Sequence, residues 1–357
     1  MSISNEHTDK SNVDEAIEHN ENDSENINDI DSNSCDSDCD NDCDSNSCDN
    51  DCDSDCDGDC DGDCDNDCDG DCANVKSSSA PQEPIFSEDE IPGVSIITPT
   101  FNRKNTIKLS VVNFLSFDYP KNKIEWIIID DSDEPIREIL PDDERIKYYY
   151  FGAKERDILY KGYRQKLVNK NKKTSKKVTR NPHIKVGHFV NHRLPLGLKR
   201  NLGVAYAKFD YIVHMDDDDY LPKDSIKERI FKMLVDPKIQ CLGCTQLNQF
   251  HTTKLTSIKT KSADDMDDAS RIYECTLCYT RKFWEQQKFD SGSMFNEGTL
   301  FFKNRSILCK IIEPTKVIVS LVHQDNQKIL KGYHDLQPNG WHFEPIPDEL
   351  FLLITSF

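Results

Sequence analysis

Four consecutive carboxylates, Asp216, Asp217, Asp218 and Asp219, follow the apolar run YIVHM at 211–215. Adjacent carboxylates repel one another, and a folded chain tolerates that repulsion when a divalent cation neutralises it. Hard cations take oxygen ligands, so a buried strand ending in this run marks a Mg2+ or Mn2+ site rather than an exposed acidic turn. A second acidic pair, Asp130-Asp131, ends the run EWIII at 125–129, and Thr98-Pro99-Thr100 ends VSIIT at 94–98. Two further pairs, Cys241-x-x-Cys244 and Cys275-x-x-Cys278, have the spacing of a four-Cys zinc site. Both also lie in apolar runs, CLGCTQL and ECTLCYT, where cysteine serves as a small apolar residue.

The elements that must hold these residues alternate between strand and helix. Val94–Thr98 reads as a buried strand ended by Pro99, and Asn105–Leu115 as a helix with one apolar face (Ile107, Val111, Val112, Phe114, Leu115), stopped by Tyr119-Pro120. Glu125–Ile129 and Arg145–Phe151 read as two more strands. A helix opens at Gly197 and runs through Ala207, and Tyr211–Met215 is the next strand. The pattern predicts an α/β fold with a Rossmann-like, mostly parallel central sheet flanked by helices. Ligands bind at the carboxyl ends of strands in such sheets, and both acidic sites fall there.

Charge divides the chain. Residues 1–90 carry 31 Asp and Glu against two Lys and Arg, whereas 91–357 carry 34 against 42, so a tail of net −29 precedes a mildly basic body of net +8. The tail lacks the apolar residues to offset chain entropy and is expected to be disordered. Ten of the 15 cysteines fall in it, in an Asp-x-Asp-Cys repeat from Cys35 to Cys72. The repeat reads as a solvated low-complexity segment or as a loose metal sponge. No apolar run approaches the roughly 18 residues of a membrane span, and the first ten residues show no secretory leader. The thiols fit a reducing compartment, so the expected location is cytoplasmic rather than secreted. Within the body (91–330), residues 154–193 hold 13 Lys and Arg and read as a basic insertion loop; sparse aromatics make nucleic acid an unlikely partner. A C-terminal extension, 331–357, closes with an amphipathic helix whose start, PIPDELFLL, resembles the opening of an F-box.

The segments VSIITPTFNR (94–103), EWIIIDDSD (125–133), GLKRNLGVAYAKFDYIVHMDDDDYLP (197–222) and FNEGTLFF (295–302) occur in the order found in the inverting family 2 glycosyltransferases of the GT-A fold, which the chain resembles over about 92–325. The resemblance implies a nucleoside-diphosphate sugar as donor, a UDP-sugar being favoured, and a glycan or protein hydroxyl as acceptor. It places Thr98, Pro99, Arg103 and Asp131 around the nucleotide, and Lys199, Arg200, Asn201 and Asp217 near the ribose and diphosphate. Asp216 and Asp218 match the outer carboxylates of the Asp-x-Asp motif and would hold Mn2+ or Mg2+, with His323 as a late metal-facing residue. The leaving nucleoside diphosphate develops negative charge that a cation neutralises. Glu297 is the implied general base and Asp290 its fallback. Where the family often has a Glu-Asp pair, this chain has Glu297-Gly298, so one carboxylate is missing. The acidic repeat and the absent leader also resemble glycosyltransferases of large DNA viruses, which implies action in the host cytoplasm. Two other readings stand beside this one: a catalytically degenerate GT-A scaffold that recruits partners, and a metal buffer built on the tail.

Overall fold

The computed structural model describes residues 86–159, 161–162, 193–260, 271–293, 297–323, 337–342 and 345–357. The acidic repeat, the bulk of the basic insertion and part of the C-terminal extension lie outside the described residues.

The chain enters through Phe86, whose ring packs 4.8 Å from Phe231, and continues into β1 (Val94–Thr100), α1 (Ile107–Ser116), β2 (Ile124–Asp130) and β3 (Ile146–Tyr150). After the insertion come α2 (Leu196–Tyr206), β4 (Tyr211–His214), α3 (Ser225–Val235), β5 (Cys241–Gly243), β6 (Asn248–His251) and β7 (Thr256–Lys259). The last elements are β8 (Cys278–Thr280), α4 (Arg281–Gln286), α5 (Gly298–Phe302), β9 (Cys309–Ile311), β10 (Val319–Val322) and α6 (Asp348–Thr355). Seven strands form the main sheet in the order β3-β2-β1-β4-β8-β5-β9, and β10-β6-β7 form a second sheet. All pairings in the main sheet are parallel except those of β8 with β4 and β5. This is the mostly parallel α/β architecture expected.

Strand alternation explains why the sheet is covered on both faces. Ile96, Trp126, Ile128 and Val213 face one core with α1 and α3. Their neighbours Ile97, Ile127, Ile129 and Ile212 face the other with α2, α4 and α5. In α3, Ile226, Arg229, Ile230 and Met233 share the buried face at helical spacing. Helix α2 lies so close to β1 that a Cβ at Gly203 would stand 3.0 Å from Ile97. The C-terminal helix is part of this unit: Ile354 packs with Leu109, Phe250, Val319 and Leu321.

Pro99 does not end β1. The strand runs to Thr100 and stays paired with β2, Pro99 opposite Ile129. The carbonyl of Ile97 accepts from Met215 N–H on the β4 side. Pro99, two residues on, points the same way but past the end of β4, where its missing N–H breaks no ladder bond.

The four paired cysteines do not form a zinc site in the described residues. Cys241, Cys244 and Cys278 are buried and free, with Cys241 and Cys278 in strands of the main sheet. Burial pushes the thiols of Cys244 and Cys278 up to about 12. They act as apolar packing, and Cys278 Sγ rests 3.4 Å from Met233 Sδ.

Candidate active site

The carboxyl ends of β1, β2 and β4 bring three loops together. At the first two, Asn102 adopts φ 55°. This left-handed turn is one that asparagine tolerates well. Its side chain clamps the β2 loop: Nδ2 donates to Asp133 Oδ2 at 2.8 Å, and Oδ1 accepts from Asp133 N at 3.0 Å. Beside this clamp is a cavity of about 350 Å3 lined by Arg103, Lys104, Asn105, Thr106, Asp133 and Glu134. Of this set only Arg103 is among the residues expected from the sequence, because a clamp between loops 30 residues apart leaves no local pattern.

Arg103 reaches from the cavity to the acidic loop, with Nη2 3.6 Å from Asp218 Oδ2. His323 Nε2 lies 3.3 Å from the same oxygen. His323 follows β10, so the second sheet supplies it. Its Nδ1 and the Nη1 of Arg103 are buried with no partner. Asp219 is turned inward: its Oδ1 accepts from Leu321 N–H in β10 at 3.1 Å, and its carbonyl accepts from Asn113 Nδ2 at 2.8 Å. Asp216, partly exposed, shares a space within 4.8 Å with Asp219 and Cys275, the one cluster of three such ligand-type side chains among the described residues. Burial raises the carboxyls of Asp216 and Asp219, with Asp218 adding to both, and pushes Asp217 up to about 7. Burial is the larger cause and the neighbouring carboxylates add to it, so a cation in the loop would favour the charged forms.

Arg200 joins this cluster to the candidate base. It is 2% exposed. Its Nε donates to Glu297 Oε1 at 2.7 Å, and its Nη2 lies 3.3 Å from Asp216 Oδ1. Burial opposes its charge, but Asp216 and Glu297 outweigh burial and raise its pKa. Glu297 is buried just before α5 and does not cap that helix with its side chain. Glu274, in a single helical turn at Glu274–Thr276, lies close by: its Oε1 accepts from Gly298 N–H at 3.1 Å. Burial first, and then Glu297, pushes the Glu274 carboxyl up to about 7. Glu274 stands 23 positions before Glu297 with no motif to link them, so the sequence alone does not point to it.

The other expected site residues have internal partners. Thr98 is fully buried, its hydroxyl donating to Met215 O at 2.6 Å and accepting from Trp126 Nε1 at 2.8 Å. Asp131 is also fully buried. Its Oδ1 accepts from Lys199 Nζ at 2.8 Å and its Oδ2 from Leu194 N–H at 2.5 Å. Lys199 spends a second proton on Thr100 O at 3.1 Å. Asn201 donates to Phe289 O and Ser291 Oγ and accepts from Trp284 Nε1 and Phe289 N–H. Thr98, Asp131 and Lys199 thereby tie β1, β2 and α2 to one another, and Asn201 ties α2 to Trp284, Phe289 and Ser291. Asp290 caps its own turn, accepting from Gly292 N–H at 2.9 Å.

Residues 164–308 match the family model described as Glycosyl transferase family 2. The match spans α2 to α5 and leaves β1–β3 outside it. Comparison with curated proteins gave no match. Among solved structures, TarS 1–349 from S. aureus is similar at 14% identity and TM-score 0.41, covering 64% of this chain and 60% of that one. The mannosyltransferase PcManGT from Pyrobaculum calidifontis is similar at 16% and 0.38, covering 71% and 62%. Glucosyl-3-phosphoglycerate synthase from Mycobacterium tuberculosis is similar at 14% and 0.40, covering 69% and 80%. The chain therefore spans less than two thirds of the first two, and likeness at these scores says nothing about its own donor or acceptor.

Proposed function

From a chain that carries a family 2 glycosyltransferase domain, we propose a metal-dependent, inverting glycosyltransferase that moves a sugar from a nucleoside-diphosphate donor, a UDP-sugar in the first instance, to a hydroxyl of a glycan or protein. The observation that supports this most directly is Arg200, which contacts Asp216 with one end and Glu297 with the other. The carboxylate proposed for the cation and the one proposed for the proton are thus both bound to one guanidinium. The cavity beside Arg103 is the place for the donor nucleotide.

Asp216 and Asp218 would hold Mn2+ or Mg2+, with His323 beside Asp218. The chemistry of the donors fits: two carboxylates suit a hard cation, and His323 Nδ1 is buried with no partner, while in this structure Asp216 gathers with Asp219 and Cys275 rather than with Asp218 and His323. When bound, the cation supplies positive charge against the leaving diphosphate. Arg103 adds to that charge from the cavity side. Glu297 accepts the proton of the acceptor hydroxyl as its oxygen attacks the sugar's anomeric carbon. The bond from that carbon to the diphosphate oxygen breaks, and its electron pair leaves with the nucleoside diphosphate. A single displacement inverts the anomeric configuration.

Two variants separate the roles. Asp218→Asn should lose Mn2+-dependent donor binding by calorimetry. Glu297→Gln should bind Mn2+ and donor as before but transfer sugar about 10²–10⁴-fold more slowly. Full Mn2+-dependent donor binding by Asp218→Asn refutes the metal assignment. Normal transfer by Glu297→Gln refutes the base.

A further inference from the structure

Gly298 follows the candidate base directly, and the space its missing side chain leaves is filled from elsewhere in the chain. A Cβ at 298 would stand 2.7 Å from Glu274 Oε1, 2.9 Å from Phe302 Cε2 and 3.1 Å from Glu274 Cγ. All three distances are inside van der Waals contact, so a side chain at 298 would have to displace the Glu274 carboxylate and press on the Phe302 ring. The Gly298 backbone is not in the left-handed region, so glycine is required there by space and not by conformation. The carboxylate in that space accepts the Gly298 N–H at 3.1 Å. The peptide it holds joins residues 297 and 298. Its grip therefore acts on the backbone that aims the Glu297 carboxylate at Arg200, 2.7 Å away.

The turn carrying Glu274 is itself anchored to β4. The Glu274 carbonyl lies 2.6 Å from His214 Nδ1, and the His214 Nε2 lies 3.0 Å from the Tyr279 hydroxyl. A contiguous set of contacts thus runs from β4 through His214 and Glu274 to the Glu297–Gly298 peptide. Helix α5 is only five residues long and makes no side-chain cap bond of its own, so it supplies little rigidity at this point.

Resting on the transferase reading above, we propose that Glu274 is a positioning residue for the acceptor-side base: its carboxylate occupies the space over Gly298, holds the Glu297–Gly298 peptide, and so fixes the Glu297 carboxylate for proton transfer. Glu274 receives no proton in the reaction. It acts through a hydrogen bond that an amide oxygen can also accept. Displacement of a reacting group by about 1 Å costs on the order of 10²-fold in rate.

The test uses the full chain with Mn2+ and the sugar nucleotide that it turns over. Glu274→Ala should lower kcat about 10–100-fold, with acceptor KM, nucleoside diphosphate affinity and Tm close to those of the wild type. Glu274→Gln, which keeps the acceptor oxygen and the shape, should recover kcat to within several-fold. Gly298→Ala should expel the Glu274 carboxylate and lower kcat to a similar extent. The double variant Glu274→Ala/Gly298→Ala should be no slower than the worse single variant, because both remove one interaction. Wild-type kcat in Glu274→Ala, failure of Glu274→Gln to recover, or multiplicative losses in the double variant would each overturn the assignment. A loss that follows Tm would reduce Glu274 to a stability role and overturn it as well. A wild-type protein that binds nucleoside diphosphate but turns over no sugar nucleotide defeats the transferase reading, and this assignment with it.

Discussion

Replacing Asp131 by alanine strips the partner from one of the most deeply buried charges in the protein. Lys199 is 1% exposed and Asp131 is 0% exposed. Without the carboxylate, the ammonium keeps one acceptor, Thr100 O at 3.1 Å, and Leu194 N–H loses the oxygen it now donates to. Breaking a buried ion pair from one side costs about 3–5 kcal/mol, because the remaining charge is uncompensated. For a domain of this size that is a fall of roughly 6–20 °C in Tm. Burial already pulls the Lys199 pKa down, with Asp131 as the main counterweight. Removing Asp131 lowers it further, while in the unfolded chain the lysine keeps its ordinary high value. Protonation then favours unfolding, so the penalty is greatest at low pH and shrinks as pH rises and the folded lysine sheds its proton. Urea unfolding of Asp131→Ala at pH 6 and pH 9 reads both effects. Lys199→Met/Asp131→Leu should recover much of the loss, since neither charge remains. A change below about 1 kcal/mol at both pH values, or a double variant no more stable than Asp131→Ala, refutes the claim that this pair holds β1, β2 and α2 in place.

Three further outcomes follow from the same geometry. Glu274 and Asp217 are pushed up to about 7 in the folded chain, against 4.5 and 3.8 for the free groups. The folded state therefore holds protons that the unfolded state releases, and stability in EDTA should fall as pH rises from about 5 to about 7; a urea midpoint that climbs over that range contradicts this. Added Mn2+ should offset that fall if the acidic loop binds it, which the same titration would show. Gly197→Ala puts a Cβ 2.0 Å from the Asp290 carbonyl oxygen at the start of α2; the resulting backbone shift should cost about 1–3 kcal/mol, measured by urea unfolding.

The order of strands and helices was legible because apolar runs of strand length end at acidic pairs, and because each helix keeps its apolar face. Boundaries were misplaced where pairing decides them, as at Pro99, whose missing N–H matters only on the side where β4 has already ended. The acidic run was visible because repulsion between neighbours in sequence is a local fact. What each carboxylate touches was not visible: Asp218 meets Arg103 and His323, and Asp219 meets Leu321, all more than 100 positions away. Thr98, Asp131, Lys199 and Asn201 were expected to line the nucleotide site. Their side chains have partners inside the protein, backbone groups together with Trp126, Trp284, Ser291 and one another, because burying polar atoms demands partners. Glu274 carries no sequence signal, and only the space above Gly298 shows what it does.

The acidic loop is also a joint. Tyr220 pairs antiparallel with Val319, exchanging both backbone bonds at 3.0 and 2.8 Å, and Asp219 takes the N–H of Leu321. The three-stranded sheet is therefore sewn to the acidic loop through the two residues that follow Asp218. Peeling β10 away undoes those stitches and carries off His323, so the edge sheet and the loop open as one cooperative unit. Whatever clamps the loop raises the free energy of that opening by its own binding energy. Amide protons of β10 and β6, far along the chain from the carboxylates, would then exchange more slowly, making the smaller sheet a reporter of occupancy in the larger one.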